Sequence, residues 1–325
     1  MQRFTRLALV CSLATVYLLF AGCGSPTKAS KTTKTLVYIS NTGSNFWKIA
    51  QKGCEKADAE LADVDVVFKT TFGGTVKEQE RYINESRFRG DVDAFAISPI
   101  DPAAMRDLLD KTAKNSLLVT LDSDAPSSPR VLYIGADNRD AGRQAGELIK
   151  KALPKGGKIM AFVGRRTENA QERLAGLREA IAGSKVELLD LMLDENDPVK
   201  AEENVAEAVN KYPDIAAMVG LWGYTGPSIQ RSLIRLNKIG QIKIVCFDDE
   251  PETLRGIENG AIFGTVAQQP FEYGYQSVRL IDLLLKGDKS IIPPDKRVLI
   301  STTVVQRDNL EAYKKSHEDI LGGKK

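Results

Sequence analysis

Histidine is almost missing from this chain: 325 residues contain one, His317, in a charged C-terminal stretch. That removes Ser-His-Asp and Cys-His nucleophilic schemes and every His-rich metal site. There is no GxxxxGK and no GxGxxG after a strand, so nucleotide binding by those devices is unsupported. No charge sign dominates. The 45 basic and 43 acidic residues leave a net charge of +2, with no basic stripe to follow a phosphate backbone, so nucleic acid is not an expected partner. The adjacent carboxylates Asp248 and Asp249 point apart after a strand and make a poor acid/base pair. Neither an enzyme, nor a cofactor, nor a metal is therefore expected. Cysteine is scarce too. Cys11 and Cys23 fall in an N-terminal leader, and the remaining Cys54 and Cys246 are expected as buried thiols.

What is present begins with that leader. Arg3 and Arg6 precede an apolar run over 7–21 that ends at Gly22 and Cys23, which predicts a secretory signal over 1–22. The run is shorter than the roughly 18 to 20 apolar residues of a membrane span. The small pair before Cys23 resembles the lipobox of bacterial lipoproteins, in which the thiol is acylated and becomes the N-terminus. Phe20 stands where Leu is usual, which leaves ordinary signal cleavage open. Residues 23–34, rich in Ser, Thr and Lys, are expected as a lipidated tether.

Over the full sequence, 42% apolar and 27% charged residues describe a packed protein, and beyond the leader short apolar runs alternate with helical patterns to the end. Strands are predicted at 36–39, 64–68, 94–97, 117–121, 131–134, 158–163, 186–193, 216–221, 242–247, 262–266 and 298–304, too many for one sheet. In open parallel sheets ligands bind beyond the carboxyl ends of strands. The residues there are Ser40, Asn41, Ser44, Phe46 and Trp47, then Asp122, then Asn169, Gln171 and Arg173, then Trp222 and Tyr224, then Asp248 and Gln268. Forked polar side chains interleaved with flat aromatics suit the hydroxyl edges and C–H faces of a sugar. Taken singly, each also has a plainer role: Asp122 or Asp248 as a helix cap, Phe46 or Trp47 as core, Arg173 as a solvated helix residue.

The segments LVYISNTGSNFWKIAQKG (36–53), GDVDAFAISPIDPAAM (90–105), VTLDSD (119–124), YIGADNRDAGRQAGELI (133–149), NAQERLAGLREA (169–180), GLWGYTGPSI (220–229), IVCFDDEP (244–251) and GTVAQQPFEYGYQS (264–277) occur in this order. Together they resemble the ribose-binding branch of the type 1 periplasmic binding proteins, the sugar-capturing components of ABC importers. The resemblance covers nearly all of the mature chain. It implies an α/β fold of two doubly wound, Rossmann-like lobes with parallel sheets, joined by a three-segment hinge. Lobe 1 would comprise 35–136 and 269–296, and lobe 2 would comprise 137–268 and 297–325, with crossings near Asp137, Gln268 and Arg297. It further implies a monomer that closes on a small polar ligand, first of all a monosaccharide, and delivers it to a membrane permease. A ligand-sensing subunit for a chemoreceptor or sensor kinase is the alternative role.

Carried over by position, the ligand wall would be Ser40, Ser44, Phe46, Trp47 and Asp122 from lobe 1, and Asn169, Gln171, Arg173, Asn196, Trp222, Asp248 and Gln268 from lobe 2, with Tyr224 beside them. Ser123 and Gln171 stand where the ribose binder has arginines, and Trp222 replaces an asparagine, so ribose itself is not the expected ligand.

Overall fold

The computed structural model describes residues 33–321, so the predicted signal, Cys23 and most of the tether lie outside the described residues. Two six-stranded sheets, each covered on both faces, organise the chain. The first holds β1 (Lys34–Ile39), β2 (Val64–Lys69), β3 (Ala94–Ile97), β4 (Leu117–Leu121) and β5 (Leu132–Gly135), with β11 (Arg297–Leu299) at one edge, in the order 2-1-3-4-5-11. The second holds β6 (Gly157–Val163), β7 (Val186–Leu193), β8 (Ile215–Gly220), β9 (Lys243–Phe247) and β10 (Gly264–Ala267), with β12 (Thr303–Val305), in the order 7-6-8-9-10-12. All pairs are parallel except β10 with β12. Covering both faces explains why central strands such as β3 are buried throughout and read as unbroken apolar runs.

The predicted strand at 298–304 is in fact two. Residues 300–302 turn a corner between the sheets, so β11 joins the first sheet beside β5 and β12 joins the second beside β10. Residues 297–299 thus pair within the first lobe, which corrects their expected place in the second and moves the third crossing from Arg297 to 300–302. The other crossings lie between β5 and helix α4 (Asn138–Ala152) and between β10 and helix α9 (Pro270–Leu285). Cross-bonds tie the three together: Ile300 N–H donates to Gly135 O at 2.8 Å, Gln269 Nε2 to Ser301 O at 2.7 Å, and Thr302 Oγ1 to Gln144 Oε1 at 3.1 Å.

Each lobe is braced by one helix pair drawn close by glycine. In the first, α1 (Asn45–Glu60) packs on α9. In the second, α5 (Glu168–Ile181) packs on α4. A Cβ on Gly274 would lie 1.9 Å from Ala50 O, and one on Gly142 would lie 2.0 Å from Arg173 O, so these helices cross in backbone contact. Both α1 and α5 follow the first strand of their sheet and aim their N-termini at its carboxyl edge. In this strand order that edge, beside β1 and β3 or β6 and β8, is where the connections diverge to opposite faces and leave a crevice.

Candidate functional site

A cavity of about 340 Å3 lies where the carboxyl edges of the two sheets face each other, and both lobes line it. From the first come Asn41, Ser44, Phe46, Trp47 and Asp122. From the second come Asn169, Arg173, Asn196, Trp222, Tyr224 and Asp248, while Gln268 stands at the second crossing.

The two carboxylates are set by the same backbone device. Asp122 follows β4 and Asp248 follows β9, both with positive φ (54° and 64°), a conformation that Asp tolerates better than most residues. Asp122 N–H donates to Ile134 O on β5, and Asp248 N–H to Val266 O on β10. Their carbonyls accept from Tyr133 OH at 3.0 Å and Thr265 Oγ1 at 2.7 Å, respectively. Neither caps a helix, so the plainer reading of these residues is excluded.

Asp122 is 7% exposed, and its Oδ2 accepts from Asn41 Nδ2 and Ser98 Oγ, each at 3.3 Å. Asn41 is itself oriented by Trp47, whose Nε1 donates to Asn41 Oδ1 at 2.7 Å. The indole edge thus serves the carboxylate, while Trp47 also belongs to the core with Tyr38 and Ala50. Burial raises the Asp122 pKa to about 6; Asp248 adds to the rise, whereas the Arg173 cation and the bonds from Ser98 and Asn41 oppose it. Burial likewise raises Asp248, against the pull of Arg173 and of Gln268, whose Nε2 donates to Asp248 Oδ1 at 2.8 Å.

Arg173 is 1% exposed and is held on three sides. Nε donates to Asn138 Oδ1 at 2.9 Å, Nη1 donates to Leu221 O at 2.8 Å, and the guanidinium lies 4.5 Å from the centre of the Phe247 ring. Its Nη2 and the Trp222 Nε1 are buried donors with no acceptor among the described residues, and both residues line the cavity. Buried donors lacking a partner are costly and are rarely retained without a purpose. They call for acceptor oxygens on a guest, just as the carboxylates call for its hydroxyl donors.

The remaining wall is aromatic. Phe46 packs edge-on against Trp47 (5.1 Å) and Tyr273 (5.7 Å), and Trp222 lies 6.4 Å from Tyr224. Tyr224 OH donates to Asp194 at 2.5 Å, and Asp194 also accepts from Asn196 N–H, fixing the turn that presents Asn196. Gly164 sits under this wall: a Cβ there would come within 2.3 Å of both the Trp222 ring and Asn196 Oδ1.

Ser40 and Gln171, though expected in the wall, are not brought to the cavity. Ser40 is fully buried in its strand-end turn, where Oγ donates to Thr42 O and accepts from Thr71 N–H. Gln171 is exposed and donates to Arg166 O. Conversely, the cavity contains groups that were not singled out as wall residues: Asn41, Phe72, Ile100, Arg165 and Glu250. Phe72, 78% exposed, stands at the mouth on a loop after β2, and nothing in its local pattern marks that place. Asn41 was legible as a strand-end residue.

Among curated proteins, the chain is 24% identical to the ribose import binding protein of Escherichia coli over 257 residues, 78% of this chain and 86% of that one. It is 23% identical to the D-allose-binding periplasmic protein of the same species over 284 residues, 83% and 90% of the two chains. The fold matches an ABC transporter solute-binding protein from Burkholderia graminis solved with D-arabinose, at a TM-score of 0.81 and 24% identity over 88% of this chain and 99% of that one. The arabinose-binding protein AraP of Geobacillus stearothermophilus matches at 0.73 with 27% identity, over 86% and 99%. The profile of the periplasmic binding protein domain matches residues 36–289, and with two α/β lobes meeting over one cleft, the chain belongs to that family.

Proposed function

We propose that this chain is the extracytoplasmic sugar-capturing component of an ABC-type importer, which closes its lobes over a monosaccharide and performs no chemistry on it. The observation that carries the reading is the cleft's pairing of acceptors with donors: Asp122 and Asp248 from opposite sheets, and the partnerless Arg173 Nη2 and Trp222 Nε1 beside them. A vicinal diol can donate to a carboxylate and accept from a guanidinium at once, and Phe46, Trp222 and Tyr224 offer faces to its C–H groups. Asn169, Asn196, Ser44 and Gln268 complete the proposed polar lining. A cavity of about 340 Å3 is within the usual range for small-molecule sites. The ligands named for the relatives, ribose, allose and arabinose, support the same substrate class.

Binding to the native state raises its melting temperature by mass action, by about 2.7 kcal/mol of stability at a hundredfold excess over Kd. A thermal-shift screen against D-ribose, D-allose, D-xylose, L-arabinose, D-galactose and polyols is expected to give at least one clear rise. A flat response to all of them at high concentration would overturn the reading. Sugar recovered unchanged after prolonged incubation is the expected sign that no reaction occurs.

The proposal extends to the leader. Cys23 carries the lipid that holds the protein at the membrane face, and the protein acts there as a monomer. Cys23→Ser is expected to move it from the membrane fraction to the soluble one, and light scattering of that soluble form is expected to give the mass of one chain. Unchanged membrane fractionation would remove the lipid anchor from the account.

A further inference from the structure

The three crossings do more than join the lobes, because one buried amide at the first of them bonds a binding group of the second lobe and meets a tyrosine that holds the backbone of one in the first. Asn138, the first residue of α4, is 2% exposed. Its Oδ1 accepts from Arg173 Nε at 2.9 Å, and its Nδ2 makes a long 3.5 Å contact to Tyr133 OH. Tyr133 OH in turn donates to the carbonyl of Asp122 at 3.0 Å. The path runs from the backbone carbonyl of the first lobe's Asp122 through the crossing to the second lobe's guanidinium. The second crossing repeats the arrangement: Tyr273 OH on α9 donates to Gln268 Oε1 at 2.9 Å, and Gln268 Nε2 donates to Asp248 Oδ1 at 2.8 Å. In each case a tyrosine of the first lobe meets an amide at a crossing, and the amide grips a charged group of the second. Gln268 lines the cavity itself, whereas Asn138 does not.

We propose that Asn138 is a positioning residue for the ligand site: it holds the Arg173 guanidinium so that Nη2 faces the cleft, in register with Asp122 across the first crossing. Among the described residues Arg173 has two other fixed points, Leu221 O and the Phe247 ring, and a flat guanidinium over a ring can still swing across it. The bond from Nε to Asn138 removes that freedom. The affinity effect rests on the cleft being the ligand site proposed above, whereas the hold on Arg173 does not.

The test compares Asn138→Leu, which keeps the size and removes the acceptor, with Asn138→Asp, which keeps it. In arginine-labelled protein without ligand, the Arg173 Nε–H is expected to exchange slowly with water in the parent and in Asn138→Asp, and rapidly in Asn138→Leu. Titration of the same proteins with D-ribose, D-allose, L-arabinose and D-xylose, followed by tryptophan fluorescence, is expected to show Kd raised about tenfold in Asn138→Leu and within about threefold of the parent in Asn138→Asp. Slow exchange retained in Asn138→Leu overturns the inference, and so does parental affinity in that variant or equal loss in both. If Asn138→Leu does not fold, Asn138→Ser, whose oxygen is too short to reach, takes its place with the same expectations. If no sugar binds the parent, the proposed function fails, and the exchange measurement still decides whether Asn138 holds Arg173.

Discussion

Asp122→Asn is expected to bind sugar about thirtyfold more weakly than the parent while unfolding at a higher temperature at pH 7.5. The loss, about 2 kcal/mol, is that of a charged acceptor for ligand hydroxyls. The gain has its origin in burial, which raises the Asp122 pKa to about 6 in the folded chain against an ordinary aspartate's value near 4 when unfolded. Between those values the folded state holds more protons than the unfolded state. This group's contribution to stability therefore falls as pH rises through the window, and its cost is complete above pH 6. Asparagine has no such cost and tolerates the positive φ at this position. Its advantage over the parent is expected to vanish toward pH 4.

Ligand binding has the opposite dependence, because hydroxyl donors favour the ionised carboxylate. Parental affinity is expected to fall about tenfold from pH 7 to pH 5, and Asp248, also raised, adds to the trend. Calorimetric titration at the two pH values, with thermal melts beside it, checks both signs. Parental affinity in Asp122→Asn would remove Asp122 from the site.

Arg173→Met is expected to weaken binding more, about a hundredfold or roughly 3 kcal/mol, and to lower the melting temperature. The two variants thus move affinity in the same direction and stability in opposite directions. The methionine leaves Asn138 Oδ1 and Leu221 O without their donor and removes the cation that eases the ionisation of Asp122 and Asp248. Removing one member of a buried charge cluster is costlier than the cluster's net worth, since the remaining charges lose their compensation. A melting temperature equal to the parent's, or affinity within threefold of it, would contradict this assignment.

Much of this was readable from residue order. Continuous apolar runs located strands buried on both faces, and the polar residues just beyond them located the cleft. Gln171 shows where the rule is too coarse: Asn169 and Arg173 are four apart on α5 and share a face, whereas a residue two along from either points away. Helical spacing alone could have removed it. Ser40 has the right place but spends its hydroxyl on its own turn. The corner at 300–302 left no local trace, because the alternation of 298–304 suits one strand as well as two. What divides it is a set of distant partners, Gly135, Gln144 and Gln269.

That corner also constrains the order in which the molecule can be assembled. Strands β11 and β12, the edges of different sheets, come from one short stretch near the end of the chain, and the helix α9 that braces the first lobe comes just before it. A chain still being made therefore has no complete lobe to fold until the stretch around 297–305 has emerged, and its early segments wait for contacts far along the sequence. Loss of the last residues from 297 onward would leave both halves unfinished at once.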